Sequence, residues 1–151
     1  MKAKPSSSTP DLADDLAADV RSVVSKLKRN LRAQSSIHGD LTATQIAVLM
    51  RLERDGPAST SELARAEGIR AQSMGTAITP LEAAGLIDGT PDPADGRRTI
   101  LSLTGACRAL IKKVRSARQD WLSRTIRARL SSEEQRQLAA ALELLKRIVE
   151  E

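Results

Sequence analysis

Ten side chains between residues 59 and 98 are of the kinds that bind phosphates and read the edges of nucleobases. Gln72 can pair bidentately with adenine, and Arg70 can reach guanine or a phosphate. Ser73, Thr76 and Thr79 offer hydroxyls to base edges or phosphates. Ser59, Thr60 and Ser61 open a helix, where hydroxyls and backbone amides together suit phosphate oxygens. Arg97 and Arg98 end a turn rich in Pro, Asp and Gly. Arg97 follows Asp95-Gly96, and the glycine is expected to tighten the turn so that the guanidinium projects. A projecting arginine fits a narrow A·T-rich minor groove, where negative potential is concentrated. A carboxylate near phosphates is repelled, so Asp95 is expected to orient Arg97 or the turn rather than touch an anion.

The elements that must hold these groups follow from local chemistry. Ser59 and Glu62 form a capping box and Gly68 a stop, so the stretch Ser59–Gly68 reads as a helix of about two turns. Across Ile69 and Arg70 a second helix begins, placed over residues 70–84. It is polar or small in its first turns, carries apolar Met74, Ile78 and Leu81 at burial spacing, and stops at Gly85. Pro80 inside it removes one hydrogen bond and reads as a kink tolerated by packing. Two helices joined by a few residues, the second polar at its N-terminal end, match helix-turn-helix logic. Strand-like runs Leu86–Thr90 and Thr99–Leu103 flank the Pro91–Arg98 turn, making residues 86–103 a hairpin, a wing with a basic tip. Pro57-Ala58 are candidates for a third short strand.

The order Leu63-Ala64, Gln72-Ser73-Met74, Leu81-Glu82-Ala83-Ala84-Gly85-Leu86-Ile87, Asp92-Pro93-Ala94-Asp95-Gly96-Arg97-Arg98 and Leu103-Thr104-Gly105 resembles the multiple antibiotic resistance regulator (MarR) family. Gly105 directly after Thr104 is a small departure from its pattern. The resemblance covers residues 11–150. It implies a winged-helix homodimer that binds pseudo-palindromic duplex DNA, usually repressing transcription until a small ligand or oxidant releases it. The helix 70–84 would then enter the major groove and the wing 86–103 the flanking minor groove. By the same resemblance, any effector is expected to be a small, mostly apolar acid held between the dimer helices and the reading unit.

Charge and composition narrow the alternatives. The net charge of +5 hints at an anionic partner, yet the excess lies in residues 105–130, while 57–104 is slightly acidic. The DNA reading therefore rests on placement of Arg70, Arg97 and Arg98 rather than on a basic patch. A winged-helix module that binds protein in place of DNA is the alternative, and it would not need arginines at the wing tip. With one His, one Cys and no phosphate-cradling glycine loop, no catalytic pair, cofactor or metal centre is expected. The chain lacks a membrane-length apolar run and the apolar core of a signal peptide, so a cytoplasmic protein is expected.

A chain of 151 residues without Phe or Tyr and with one Trp suits packed aliphatic helices, hence a mainly α fold with a small β-hairpin. Residues 1–10 read as a flexible tail and 11–151 as a single domain. Within it, 41–104 form the winged helix-turn-helix, flanked by long dimerisation helices at 11–32 and 105–151. Thr9 as cap and Pro10 as first helical residue open the first helix, with Asp11, Asp14 and Asp15 in its early turns. Its stripe runs through Leu12, Leu16, Val20, Val23, Val24, Leu27 and Leu31. A polar loop spans Ala33–Asp40, and its single histidine, His38, reads as solvated. Thr42 and Gln45 box the start of a scaffold helix ending at Gly56-Pro57. Thr104 caps a helix to Arg129, and Ser131 and Glu134 box the last, with Leu138, Leu142, Leu145, Ile148 and Val149 in its stripe. A small winged-helix core cannot cover three long amphipathic helices, so a homodimer is expected. Cys107, on an apolar stripe, reads as a packed residue rather than a peroxide sensor.

Overall fold

In the computed structural model, residues 11–37, 39 and 41–150 are described. They belong to two compact units: Ser36–Ser116, and a second drawn from both ends of the chain, Met1–Ser35 with Ala117–Glu151. The fold is mainly helical with one small antiparallel sheet.

Helix α1 (Leu12–Gln34) starts at Asp11, whose carboxylate accepts from the Ala13 amide at 3.2 Å. Asp11, expected within the first turns, is thus the cap, because it satisfies one of the orphan amide donors of a helix start. Thr9 and Pro10 lie outside the described residues, as do the rest of 1–10 and His38. The expected loop begins later than Ala33. Ala33 and Gln34 extend the helix, and Gln34 Nε2 donates back to the Asn30 carbonyl at 3.3 Å.

In the middle unit, the Thr42–Gln45 box starts α2 (Ala43–Asp55) and Gly56 ends it. Strand β1 (Ala58–Ser59) leads into α3 (Thr60–Glu67), so the third strand exists one residue later than Pro57-Ala58. Gly68 at φ +66° closes α3, letting the Ile69 amide reach back to the Ala64 carbonyl at 3.0 Å. Next comes α4 (Ala71–Ala83), continuous through Pro80. The wing strands are β2 (Ile87–Pro91) and β3 (Thr99–Leu103), in sheet order β1-β3-β2. Strand β2 starts one residue later than expected because Leu86 serves the turn after α4. Its amide bonds the Leu81 carbonyl at 2.9 Å and its side chain is buried.

Helix α5 (Gly105–Arg129) begins beside this turn. The Thr104 hydroxyl accepts from the Cys107 amide at 3.0 Å and donates to the Gly85 carbonyl at 2.7 Å, tying the end of α4 to the start of α5. The core gathers Val48, Leu49 and Leu52 from α2, Leu63 from α3, Met74, Ile78 and Leu81 from α4, with Leu101 and Leu103 from β3 and Cys107 and Ile111 from α5.

The other unit contains α1, the later part of α5 and α6 (Ser132–Val149), boxed by Ser131 and Glu134. Neither α1 nor α6 has a buried residue. Several of their apolar side chains are exposed, from Val24 at 42% to Val149 at 77%, while Val20, Leu27, Leu31, Leu138 and Leu145 are half-buried. No helix among the described residues is long and apolar enough to cross a membrane.

Candidate nucleic-acid interface

The exposed row on α4 is set by its amphipathic pattern. Met74, Ile78 and Leu81 turn into the core, which leaves Gln72, Ser73, Thr76 and Thr79 in solvent. Arg70 is the cap residue, with extended backbone and no side-chain cap bond. Among the described residues, Arg70, Gln72 and Ser73 have no side-chain hydrogen bond, so their donors and acceptors stay available. Thr76 and Thr79 instead donate to the carbonyls of Gln72 at 3.1 Å and Gly75 at 3.0 Å. This back-bonding occupies their hydroxyl protons and leaves their oxygens to accept.

The position of α4 is fixed from α2. Gln45 is 7% exposed; its Oε1 accepts from the Thr42 amide at 2.9 Å and its Nε2 donates to the Ala77 carbonyl at 3.2 Å. The capping box was legible in the sequence, whereas the second bond, 32 residues away, carried no local signal. Arg51 adds a bridge from α2 to Glu67 of α3 at 3.0 Å.

At the wing, Asp95 behaves as a turn residue. Its Oδ1 accepts from the Arg97 amide at 3.1 Å and its carbonyl from the Arg98 amide at 2.9 Å. Asp92 repeats the device, accepting from the Ala94 amide at 2.9 Å. Gly96 was expected to tighten the turn through its conformational freedom. It is not among the positive-φ glycines, and a Cβ there would meet nothing within 4 Å. The two aspartates shape this turn because their carboxylates supply the local acceptors. Gly89, by contrast, matters and was missed. A Cβ on it would lie 2.7 Å from Thr99 Cγ2, a neighbour visible only once β2 and β3 are paired.

Arg97 is exposed, and its side chain makes no ion pair among the described residues. Arg98 has a different setting. Its Nη2 lies 3.0 Å from Ser59 Oγ and 3.1 Å from Glu62 Oε1, and its Nε 4.0 Å from Asp92 Oδ2. Ser59 is 4% exposed, with its hydroxyl also accepting from the Glu62 amide at 3.2 Å. Thr60 is half-buried and Ser61 exposed. The Ser59 amide and hydroxyl, and then Arg98, hold the Glu62 carboxyl below its usual range. Burial pushes the Cys107 thiol up.

Residues 41–99 match the model of the MarR family. The HTH-type transcriptional regulator MT0903.1 of Mycobacterium tuberculosis is 32% identical over 136 residues, covering 90% of this chain and 94% of that protein. The HTH-type transcriptional repressor Rv2887 of the same species is 31% identical over 105 residues, covering 70% of this chain and 75% of that one. A candidate transcriptional regulator of Pseudomonas aeruginosa PA01 has a crystal structure that superposes with a TM-score of 0.78 at 36% identity. That match covers 94% of this chain and 99% of the other.

Proposed function

The chain belongs to the MarR family of winged helix-turn-helix transcriptional regulators, and on that premise we propose that it is a repressor. As a homodimer it binds a pseudo-palindromic duplex, with α4 in the major groove and the wing in the flanking minor groove. The observation that carries this reading is the row Arg70, Gln72 and Ser73, exposed and without side-chain partners at the start of α4, in the same unit as the free Arg97. Gln72 reads a base edge, Arg70 a guanine or phosphate, Ser73 donates or accepts at base edges or donates to phosphates, and Thr76 and Thr79 accept from base-edge donors. Ser61, Thr60 and the amides opening α3 meet the backbone. Repression, rather than activation, is supported by the relative named as a repressor.

The exposed apolar stripes of α1 and α6 support the homodimer, since a monomer would leave Leu12, Leu16, Val23, Ile148 and Val149 in water. A small, mostly apolar acid is the effector this reading favours. A trough of about 540 Å³ within the terminal-helix unit sets Trp121 and Leu27 beside Lys26, Arg124 and Arg129, a lining suited to an organic anion.

Selection of bound sequences from a random duplex pool, with light scattering on the free protein, tests the reading. Enrichment of an inverted repeat by a particle of twice the chain mass is expected. A monomer, or failure to retain any duplex at low salt, overturns it, and the latter would favour a protein-binding winged helix.

A further inference from the structure

Three capping boxes occur among the described residues, at Thr42–Gln45, Ser59–Glu62 and Ser131–Glu134. In each, two reciprocal bonds satisfy the helix start. Only the middle one also receives an arginine from a distant part of the chain. Arg98 Nη2 reaches both box members, Ser59 Oγ at 3.0 Å and Glu62 Oε1 at 3.1 Å, across 39 residues of sequence to the serine. The other two boxes cap their helices without a cation, so α3 has no need of one. What Arg98 adds must therefore serve the wing.

Its backbone places it there. The Arg98 amide donates to the Asp95 carbonyl at 2.9 Å and its carbonyl accepts from the Asp92 amide at 2.8 Å, closing the loop that carries Arg97. Ser59, at the other end of the contact, also belongs to β1 and lies opposite Ile100. We propose that Arg98 is a positioning residue: it anchors the wing loop to the start of α3, which fixes the direction in which Arg97 projects. This role rests on the DNA-reading function proposed above and differs from direct contact.

A double-mutant cycle on the full chain, with the selected duplex, separates the two roles. Arg98→Ala alone should weaken binding by roughly twofold to 150-fold, the span of coupling between contacting residues. In an Arg97→Ala background the same change should cost less than about twofold, because it acts through Arg97. Additive losses, with a further fall in salt slope of about one unit, would mark a phosphate contact and overturn the proposal. Hydrogen exchange of the free protein gives a second readout. Arg98→Ala and Glu62→Gln, which keeps an acceptor for the Ser59 amide, should both speed exchange in residues 93–98 while α3 keeps its rates. Unchanged wing exchange, or loss of protection in α3, would overturn it. Should the wild-type chain bind no duplex, the DNA reading falls, and the exchange result still decides the clamp.

Discussion

Gln45 of α2 holds α4 at its middle: its Nε2 donates to the Ala77 carbonyl at 3.2 Å while its Oε1 caps its own helix through the Thr42 amide at 2.9 Å. One buried amide therefore sets both the start of the scaffold helix and the seat of the proposed recognition helix. Gln45→Leu should destabilise the fold by about 1–3 kcal/mol, the sum of a lost cap and a lost hydrogen bond. Gln45→Glu is more informative. It keeps the cap acceptor, but a carboxylate cannot donate to Ala77, so it should be destabilised near neutral pH and recover as acid protonates the side chain. Urea unfolding at two pH values checks this, and equal loss at both would contradict it.

Gly89 lies opposite Leu101 in the wing, with Thr99 Cγ2 only 2.7 Å from where a Cβ would stand. Thr99 is stiff at χ1, so the clash is not cheaply relieved. Gly89→Ala is expected to cost about 1–3 kcal/mol, the range for overpacking. Adding Thr99→Ser, which removes the methyl, should restore most of it. No rescue in thermal or urea unfolding would mean that the strain lies elsewhere.

These two residues show where sequence reading ran out. Capping boxes, the left-handed stop at Gly68 and the apolar spacing of Met74, Ile78 and Leu81 are short-range signals, and each element they imply is present. Relations across tens of residues left no local trace. The second bond of Gln45, the methyl facing Gly89 and the reach of Arg98 to Ser59 and Glu62 depend on which strands and helices meet. Element edges moved for a related reason. Asp11 caps α1 by a bond within its own first turn, and Leu86 is drawn from β2 by the closure after α4. Gly96 misled because glycine in a turn suggests a left-handed backbone, whereas aspartate side chains close this one.

Cys107 is fully buried, and burial holds its thiol above the ordinary value of 9.0. The folded chain therefore keeps its proton at a pH where the unfolded chain releases it. This contribution to stability is complete below the ordinary thiol range and is lost as pH rises through the folded value. Cys107→Ala should remove that alkaline slope. The intact protein should resist thiol reagents near pH 7 in its native state, and peroxide should leave DNA binding unchanged. Rapid native-state labelling of the thiol would contradict the reading.

Affinities of the wild-type chain, Gln72→Ala and Arg97→Ala for selected and unrelated duplexes, measured as one salt series, test the central claim most directly. Arg97→Ala should weaken both duplexes alike and lower the salt slope by roughly one unit per contact, as loss of a charge in a groove requires. Gln72→Ala should spare the unrelated duplex and lose about 1–3 kcal/mol of preference at one half-site position. Unchanged affinity and slope for Arg97→Ala, or equal losses on both duplexes for Gln72→Ala, would contradict a wing in the minor groove and a reading helix in the major one.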